Sequence, residues 1–264
     1  MTSVVSEALI PGMSGHSLNG LHEHPVYAVM PSNVKLILSE TARRFSLQVG
    51  ERPPENCLYF LTRGALGLYP LEDGVCVGMI APGSVLGWEG VLNATAFREI
   101  KAILDCQGYV VRLDPVRQAL GDHWIMKFLA TYTASRARIL GVEASCNAQH
   151  GALQRVAKWI LRLNDASANP RGLVMTQGQF ADLLGLQRTS INAVCRQLQD
   201  MGGIHIRRGR MIIADPLIVS EAACLCDDKL QDGAVERRRK LRAVDGQKSG
   251  PRTDRGPENR PISG

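Results

Sequence analysis

Residues 176–213, TQGQFADLLGLQRTSINAVCRQLQDMGGIHIRRGRMII, set two helical patterns on either side of one Gly-Leu pair and follow them with a short arginine-rich hairpin. Thr176 stands three residues before Gln179, the spacing at which a hydroxyl and an amide cap each other's backbone, so a helix is expected to start there. Phe180, Leu183 and Leu184 give that helix a buried face, and Gly185 permits the sharp exit after it. Leu186 then seats the turn in a core. In the second pattern Ile191, Val194, Cys195 and Leu198 recur at helical spacing, which leaves Arg188, Thr189, Asn192 and Arg196 on the outer faces. IHIRRGRMIIAD reads as two strands joined around Gly209, with Arg207, Arg208 and Arg210 near the tip.

Side chains at the start of the second helix suit the edges and backbone of duplex DNA. Arginine can donate two bonds to guanine, asparagine can pair with adenine, and Ser or Thr reaches base or phosphate. Arg188, Ser190 and Asn192 are the candidate base readers; Gln187, Thr189 and Arg196 are candidate backbone contacts, and Thr176, which opens the unit, is also a candidate DNA contact. The hairpin would act as a wing whose arginines hold phosphates, adding affinity that weakens with salt. Either half alone is commonplace, since helix pairs and solvated basic turns occur in many folds; the order of the parts carries the reading.

The rest of the chain divides by rhythm. Residues 1–34 form an extension to which no chemistry is assigned, and a short helix is expected over Val34–Arg44. From Phe45 to Leu113 the runs FSLQV, CLYFL, ALGLY, VCVGMI, SVLG, IKAIL and YVVRL alternate with glycine-marked turns, as in a small antiparallel barrel or jelly roll, and the barrel region is set at 35–114. A long helix is expected over 115–148, with Pro115 in its first turn. Along it Ile125, Phe128, Tyr132, Ser135, Ile139, Val142 and Cys146 recur in steps of three and four. This seam either packs on the chain's own barrel or meets the same helix of a second copy. Residues 149–220 hold another amphipathic helix, with Leu153, Val156, Ala157, Ile160 and Leu161 on its apolar side, and then the helix pair and hairpin. The expected class is therefore α+β.

Composition sets limits on these parts. Of the net charge of +6, the segment 231–264 supplies most, with nine Lys/Arg against five Asp/Glu. That segment is too polar to offset its ordering entropy and is expected to be a disordered basic tail. Seven cysteines, an odd number scattered through apolar sequence, are unlike a secreted disulfide framework and point to reduced thiols in the cytoplasm. No apolar run reaches the ~18–20 residues of a membrane span. No nucleophile–base set or metal set is evident, so neither an enzyme nor a metal cofactor is expected. His22 and His24 precede the barrel without partners, and a haem on His123 or His150 lacks a second ligand. Cys57, Cys76 and Cys106 read as buried strand residues.

The motif ADLLGLQRTSINAVCRQLQDMGGI with its wing IRRGRMII resembles the DNA-binding module of Crp/Fnr-family transcription regulators, and LYFLTRGALGLYPLEDGVCVGMIAPGSVLGWEGVL resembles their cyclic-nucleotide-binding-like barrel. The resemblance covers about residues 35–220 and is strongest over 176–213. It implies a homodimer joined along the long helix, with two reading helices on successive major-groove faces of a near-palindromic DNA site. It also implies RNA polymerase as a partner if the protein activates, and an effector in the barrel. The effector motif departs from the family pattern. In GWEGVLNATAFREI, Gly87 and Arg98 keep their places, Trp88 replaces the acidic ribose partner, Glu89 is shifted by one, and Glu99 stands where a phosphate-binding hydroxyl belongs. Trp88 and Glu99 therefore disfavour cyclic AMP, and Arg98 is left to pair with Glu99 or Glu89. The reading helix departs too: Thr189 and Ala193 replace an acidic residue and an arginine of many members, so a different DNA preference is expected. The iron–sulfur members' N-terminal cysteine cluster is missing, since no cysteine precedes Cys57. The alternative is a small-molecule-binding signalling module acting through protein contacts.

Overall fold

The computed structural model describes residues 19–70, 74–88, 99–120, 122–167, 172–207, 210–224 and 226; within the long helix 122–149, side chains are described only at 130 and from 132 onward. Two antiparallel sheets build the N-terminal part. In the first, β1 (Arg43–Leu47), β7 (Cys106–Arg112), β2 (Cys57–Arg63) and β5 (Val85–Leu86) run in the order β1-β7-β2-β5; in the second, β4 (Gly78–Ile80), β3 (Leu66–Tyr69) and β6 (Glu99–Ala102) run β4-β3-β6. The expected antiparallel barrel is present as these two facing sheets.

Strand periodicity shows how the layers are filled. Successive side chains point to opposite faces, and β2 is divided accordingly. Cys57, Tyr59 and Leu61 enter the core between the sheets with Phe45, Leu66, Leu68 and Val110, whereas Leu58 and Phe60 enter a second core with Tyr109 and Val111 of β7. Both faces of β2 are therefore covered, which is why CLYFL is a continuous apolar run rather than an alternating one. The outer cover comes from α1 (Asn19–His22), α2 (Pro25–Ala28), α3 (Ser32–Thr41) and α4 (Leu113–Leu120), through Leu21, Val26, Val34, Leu38, Val116 and Leu120, with Met30 between α2 and α3. The described part of the N-terminal extension is thus a lid on the sheet, a role the sequence did not reveal. Helix α3 stops at Thr41, short of the expected Arg44, because Arg43–Leu47 pairs with β7 from Arg43↔Val110 to Leu47↔Cys106.

The helical region expected over 115–148 comprises two helices, α4 and the 28-residue α5 (Asp122–Gln149). Helix α6 (Ala152–Ser167) then enters the C-terminal part, where α7 (Gln177–Leu184), α8 (Arg188–Asp200), the sheet β8 (Leu173–Val174), β10 (Arg210–Ile213) and β9 (Ile204–Arg207), and α9 (Pro216–Ala222) surround one core. Trp159, Ile160, Leu163, Phe180, Leu184, Ile191 and Leu198 fill it. Tyr69 of β3 and Ala65, Cys76, Ile103 and Leu104 of the adjoining connections belong to the same cluster. Hydrogen bonds reinforce the joint: the backbone amide of Gly64 and the side-chain Nε of Arg63 each donate to the end of α6, at the carbonyls of Ala166 and Ser167, both 2.9 Å. Among the described residues no helix is long and apolar enough to cross a membrane.

Candidate nucleic-acid interface

Helix α7 starts as its sequence demands. The Thr176 hydroxyl accepts from the Gln179 amide at 3.2 Å, and the Gln179 Oε1 accepts from the Thr176 amide at 2.8 Å, a complete capping box. Thr176 is thereby committed to shaping the helix. At the other end Gly185 adopts φ 60°, and a Cβ there would lie 2.6 Å from Val75 Cγ2 in the connection between β3 and β4. Both the left-handed backbone and this close approach demand glycine. The Leu186 amide donates to the Ala181 carbonyl at 3.0 Å, and Arg155 of α6 donates from Nη2 to the Leu184 carbonyl at 2.9 Å. Arg155 satisfies one of the carbonyls that a helix end leaves over. Sequence reasoning missed it, because nothing local to Arg155 announces a target 29 residues away.

With the turn fixed, α8 is presented with its apolar side inward. Ile191, Val194, Cys195 and Leu198 are buried, while Gln187, Arg188, Thr189, Asn192 and Arg196 are exposed and Ser190 is half-buried. Gln187 is the N-cap residue but makes no side-chain cap bond, so the first turn of α8 is not closed off by its own cap. Such an end carries amide donors and partial positive charge toward an approaching anion. In the same unit the wing pairs Arg210 with Arg207 and Ile213 with Ile204, and β10 is also bonded to β8. Arg207 is exposed and Arg210 half-buried; Arg208 and the tip glycine lie outside the described residues. The structure thus gathers Arg188, Thr189, Asn192, Arg196, Arg207 and Arg210 on one compact unit.

The effector positions fare differently. Gly87 adopts φ 101°, and a Cβ there would sit 2.0 Å from the Cys57 carbonyl oxygen, so its glycine is required by strand packing alone. Trp88 is 1% exposed within the core beneath the N-terminal helices. Glu99 is buried and takes Arg52 at 2.7 Å and Lys101 at 3.4 Å. These are ion-pair partners of Glu99 among the described residues; the expected pairing of Arg98 with Glu99 or Glu89 lies outside them, since Arg98 and Glu89 are not described. The Glu99 carboxylate is therefore held by two cations rather than left open to repel a ligand.

The expected dimer seam also divides. The side chains of Ile125 and Phe128 lie outside the described residues. Tyr132 packs on the sheet's outer core, Val142 packs on Cys146, and Ile139 is half-buried. Ser135 is exposed, together with Ala134, Ala137, Gly141, Ala144 and Ala148. So Tyr132 and Val142 are engaged within their own chain, and Ala134, Ala137, Gly141, Ala144 and Ala148 form an exposed stripe of small residues two positions along from the seam.

A polar cluster unforeseen in the sequence lies between α5 and α6. Lys158, 2% exposed, meets Glu143 at 2.9 Å, and Glu143 meets Arg162 at 2.6 Å. Burial alone would push the Glu143 carboxyl up, but Arg162 and Lys158 together hold it below the usual carboxylate range. Lys158 lies within an apolar pattern, so periodicity could flag it only as an exception. His150, for which the sequence offered no second ligand, has its Nδ1 3.5 Å from Cys226 Sγ.

Residues 154–217 match the family model described as the Crp-like helix-turn-helix domain. No curated protein matches the chain in sequence. Among solved structures, a Crp/Fnr-family transcriptional regulator from Eubacterium rectale aligns at TM-score 0.57 and 15% identity, over 75% of this chain and 97% of that one. FixK2 from Bradyrhizobium japonicum aligns at 0.52 and 23%, over 69% and 98%. A CRP-family transcriptional regulator from Thermus thermophilus aligns at 0.50 and 23%, over 67% and 95%. The match at 154–217 falls on α6 through the wing, and the fold likeness extends over the sheets as well. The chain therefore carries a Crp-like helix-turn-helix domain within the overall fold of the Crp/Fnr transcription regulators.

Proposed function

We propose that this protein is a transcription regulator that binds a near-palindromic DNA site as a homodimer, reading bases with the first turns of α8 and gripping phosphates with the β9–β10 wing. One observation carries the reading: the uncapped amino end of α8 exposes Arg188, Thr189 and Asn192 while Ile191, Val194 and Leu198 anchor its reverse side. Arg188 and Asn192 have the donor geometry for purine edges, and Ser190 the hydroxyl for base or phosphate. Arg196, Arg207 and Arg210 supply charge that base sequence does not modulate. Dimerisation through α5 would set the half-sites about one helical turn apart, ~34 Å. The small exposed residues Ala134, Ala137, Gly141, Ala144 and Ala148 would allow two such helices to approach closely.

The N-terminal sheets are the sensory part of this reading. With Trp88 in the core and Glu99 clamped by Arg52 and Lys101, the cyclic-nucleotide chemistry of the family pattern is not what they offer. Any effector would act by binding two placements of the winged unit unequally. Selection of bound fragments from a random duplex pool, at near-physiological salt, tests the function. An inverted repeat bound roughly 10³-fold or more above bulk DNA is expected. Recovery of fragments without a shared sequence would refute sequence-specific regulation.

A further inference from the structure

Four side chains with metal-binding atoms converge where α5 ends. Cys146 comes from its last turn, His150 follows it directly, and Cys224 and Cys226 come from the segment after α9. One ligand atom from each, three Sγ and an imidazole nitrogen, all lie within 4.8 Å of one another. Cys146 Sγ is 3.5 Å from Cys224 Sγ, and Cys226 Sγ is 3.5 Å from His150 Nδ1. The three cysteines are buried and the histidine half-buried.

These separations have a chemical meaning. A tetrahedral zinc ion with bonds of ~2.3 Å to sulfur and ~2.0–2.1 Å to nitrogen requires ligand atoms about 3.5–3.8 Å apart. The two 3.5 Å contacts fall at that spacing. A Cys146–Cys224 disulfide would need ~2.0 Å between sulfurs and would leave Cys226 and His150 unexplained. An iron–sulfur cluster places several iron and sulfide atoms between its thiolates and so spreads them wider than this group allows.

We propose that the chain binds one Zn²⁺ in a closed Cys₃His site made by Cys146, His150, Cys224 and Cys226. Three thiolates and a neutral imidazole around a divalent ion leave one net negative charge, and Lys158 is placed to offset it. Its Nζ lies 3.1 Å from Cys146 Sγ while Glu143 holds it from the other side at 2.9 Å. Donation of an N–H to a ligating thiolate is a common way to steady a metal site from outside its ligand set. Because Lys158 belongs to α6, the site joins three segments: the end of the long helix, the helix that opens the DNA-binding unit, and the strand of chain that closes it. The Cys224 amide also donates to the Gln154 carbonyl of α6 at 3.4 Å. An ion there pins the α5–α6 junction, which together with the contacts of the sheet domain on the end of α6 and on the Gly185 turn links that domain to α8.

The test uses the full chain purified under reducing, chelator-free conditions. Elemental analysis should find about one zinc per protomer, and exchange with Co²⁺ should produce intense tetrahedral ligand-field bands with thiolate-to-cobalt charge transfer. The double variant Cys224→Ser/Cys226→Ser should lose both signals. His150→Cys should keep the metal and shift the cobalt spectrum toward four thiolates, which separates ligand loss from misfolding. A wild-type protein without zinc that gives no thiolate–cobalt band on reconstitution overturns the site. A coloured protein containing acid-labile sulfide overturns it equally, in favour of an iron–sulfur cluster. No DNA enters these measurements, so their failure is distinct from failure of the DNA-binding reading.

Discussion

Helices α5 and α8 begin as comparable sequence patterns, each with apolar residues in steps of three and four, yet they use their faces differently. On α8 the apolar face is buried and the polar face is exposed, as the spacing of Ile191, Val194, Cys195 and Leu198 requires. On α5, Tyr132 and Val142 of the apparent seam pack within the chain, and a charged residue, Glu143, is among the most buried side chains. The difference lies in where the partners come from. Helix α8 packs on elements within its own compact unit. Helix α5 runs past the sheets, α6 and the chain's later segments, and each takes a different part of its circumference.

Substitutions can sharpen that contrast. The largest effect is expected at Glu143→Ala on α5, which leaves Lys158 and Arg162 buried without their carboxylate. Breaking a buried pair from one side costs about 3–5 kcal/mol, so the urea midpoint should fall markedly; an unchanged midpoint would show the cluster to be dispensable. Next, Arg188→Ala on α8 should weaken binding to the preferred DNA by about 1–3 kcal/mol and relax discrimination at one position, with the unfolding midpoint almost unmoved. A competition binding series reads both, and retained discrimination would remove Arg188 from the reading surface. Arg207→Ala on the wing should weaken all duplexes alike and lower the salt slope by about 1; a sequence-dependent loss would instead make the wing a reader.

The smallest effect concerns the lid. His24 is 3% exposed, its Nδ1 accepts from the Val26 amide at 3.3 Å, and it meets Phe60 edge-on at 5.3 Å. Burial pushes its pKa down. The unfolded chain therefore takes up a proton near pH ~6.5 while the native state stays neutral, so stability falls as pH drops through that value and levels off below the lowered native pKa. His24→Asn, which keeps an acceptor for the helix cap, should flatten the dependence of the urea midpoint between neutral and mildly acidic pH. Equal slopes for both proteins would place His24 in contact with water in the folded state.

Much of the candidate interface was legible in the sequence because its determinants act over short spans. The Thr176–Gln179 box, the Gly185 turn and the Arg207/Arg210 hairpin each depend on residues within a few positions of one another. The barrel strands were legible as runs, but their two-sided burial was not: the covering residues Leu21, Val34 and Leu38 lie in a segment whose pattern announces no target. The Arg52 partner of Glu99 was hidden for the same reason. It stands 47 residues away, and only the folded sheets bring the two to 2.7 Å.

By itself the sequence determined the helix pair with its turn, the wing and the apolar runs of the sheets, and which side of α8 faces outward, since backbone capping, turn geometry and side-chain periodicity are local properties of the chain. The tertiary structure decided which surfaces of α5 remained open, that Trp88 became core, and that Cys146 and Cys224, 78 positions apart, came within 3.5 Å. Such meetings depend on closing long loops against one shared core, and no short-range pattern encodes where those loops will end.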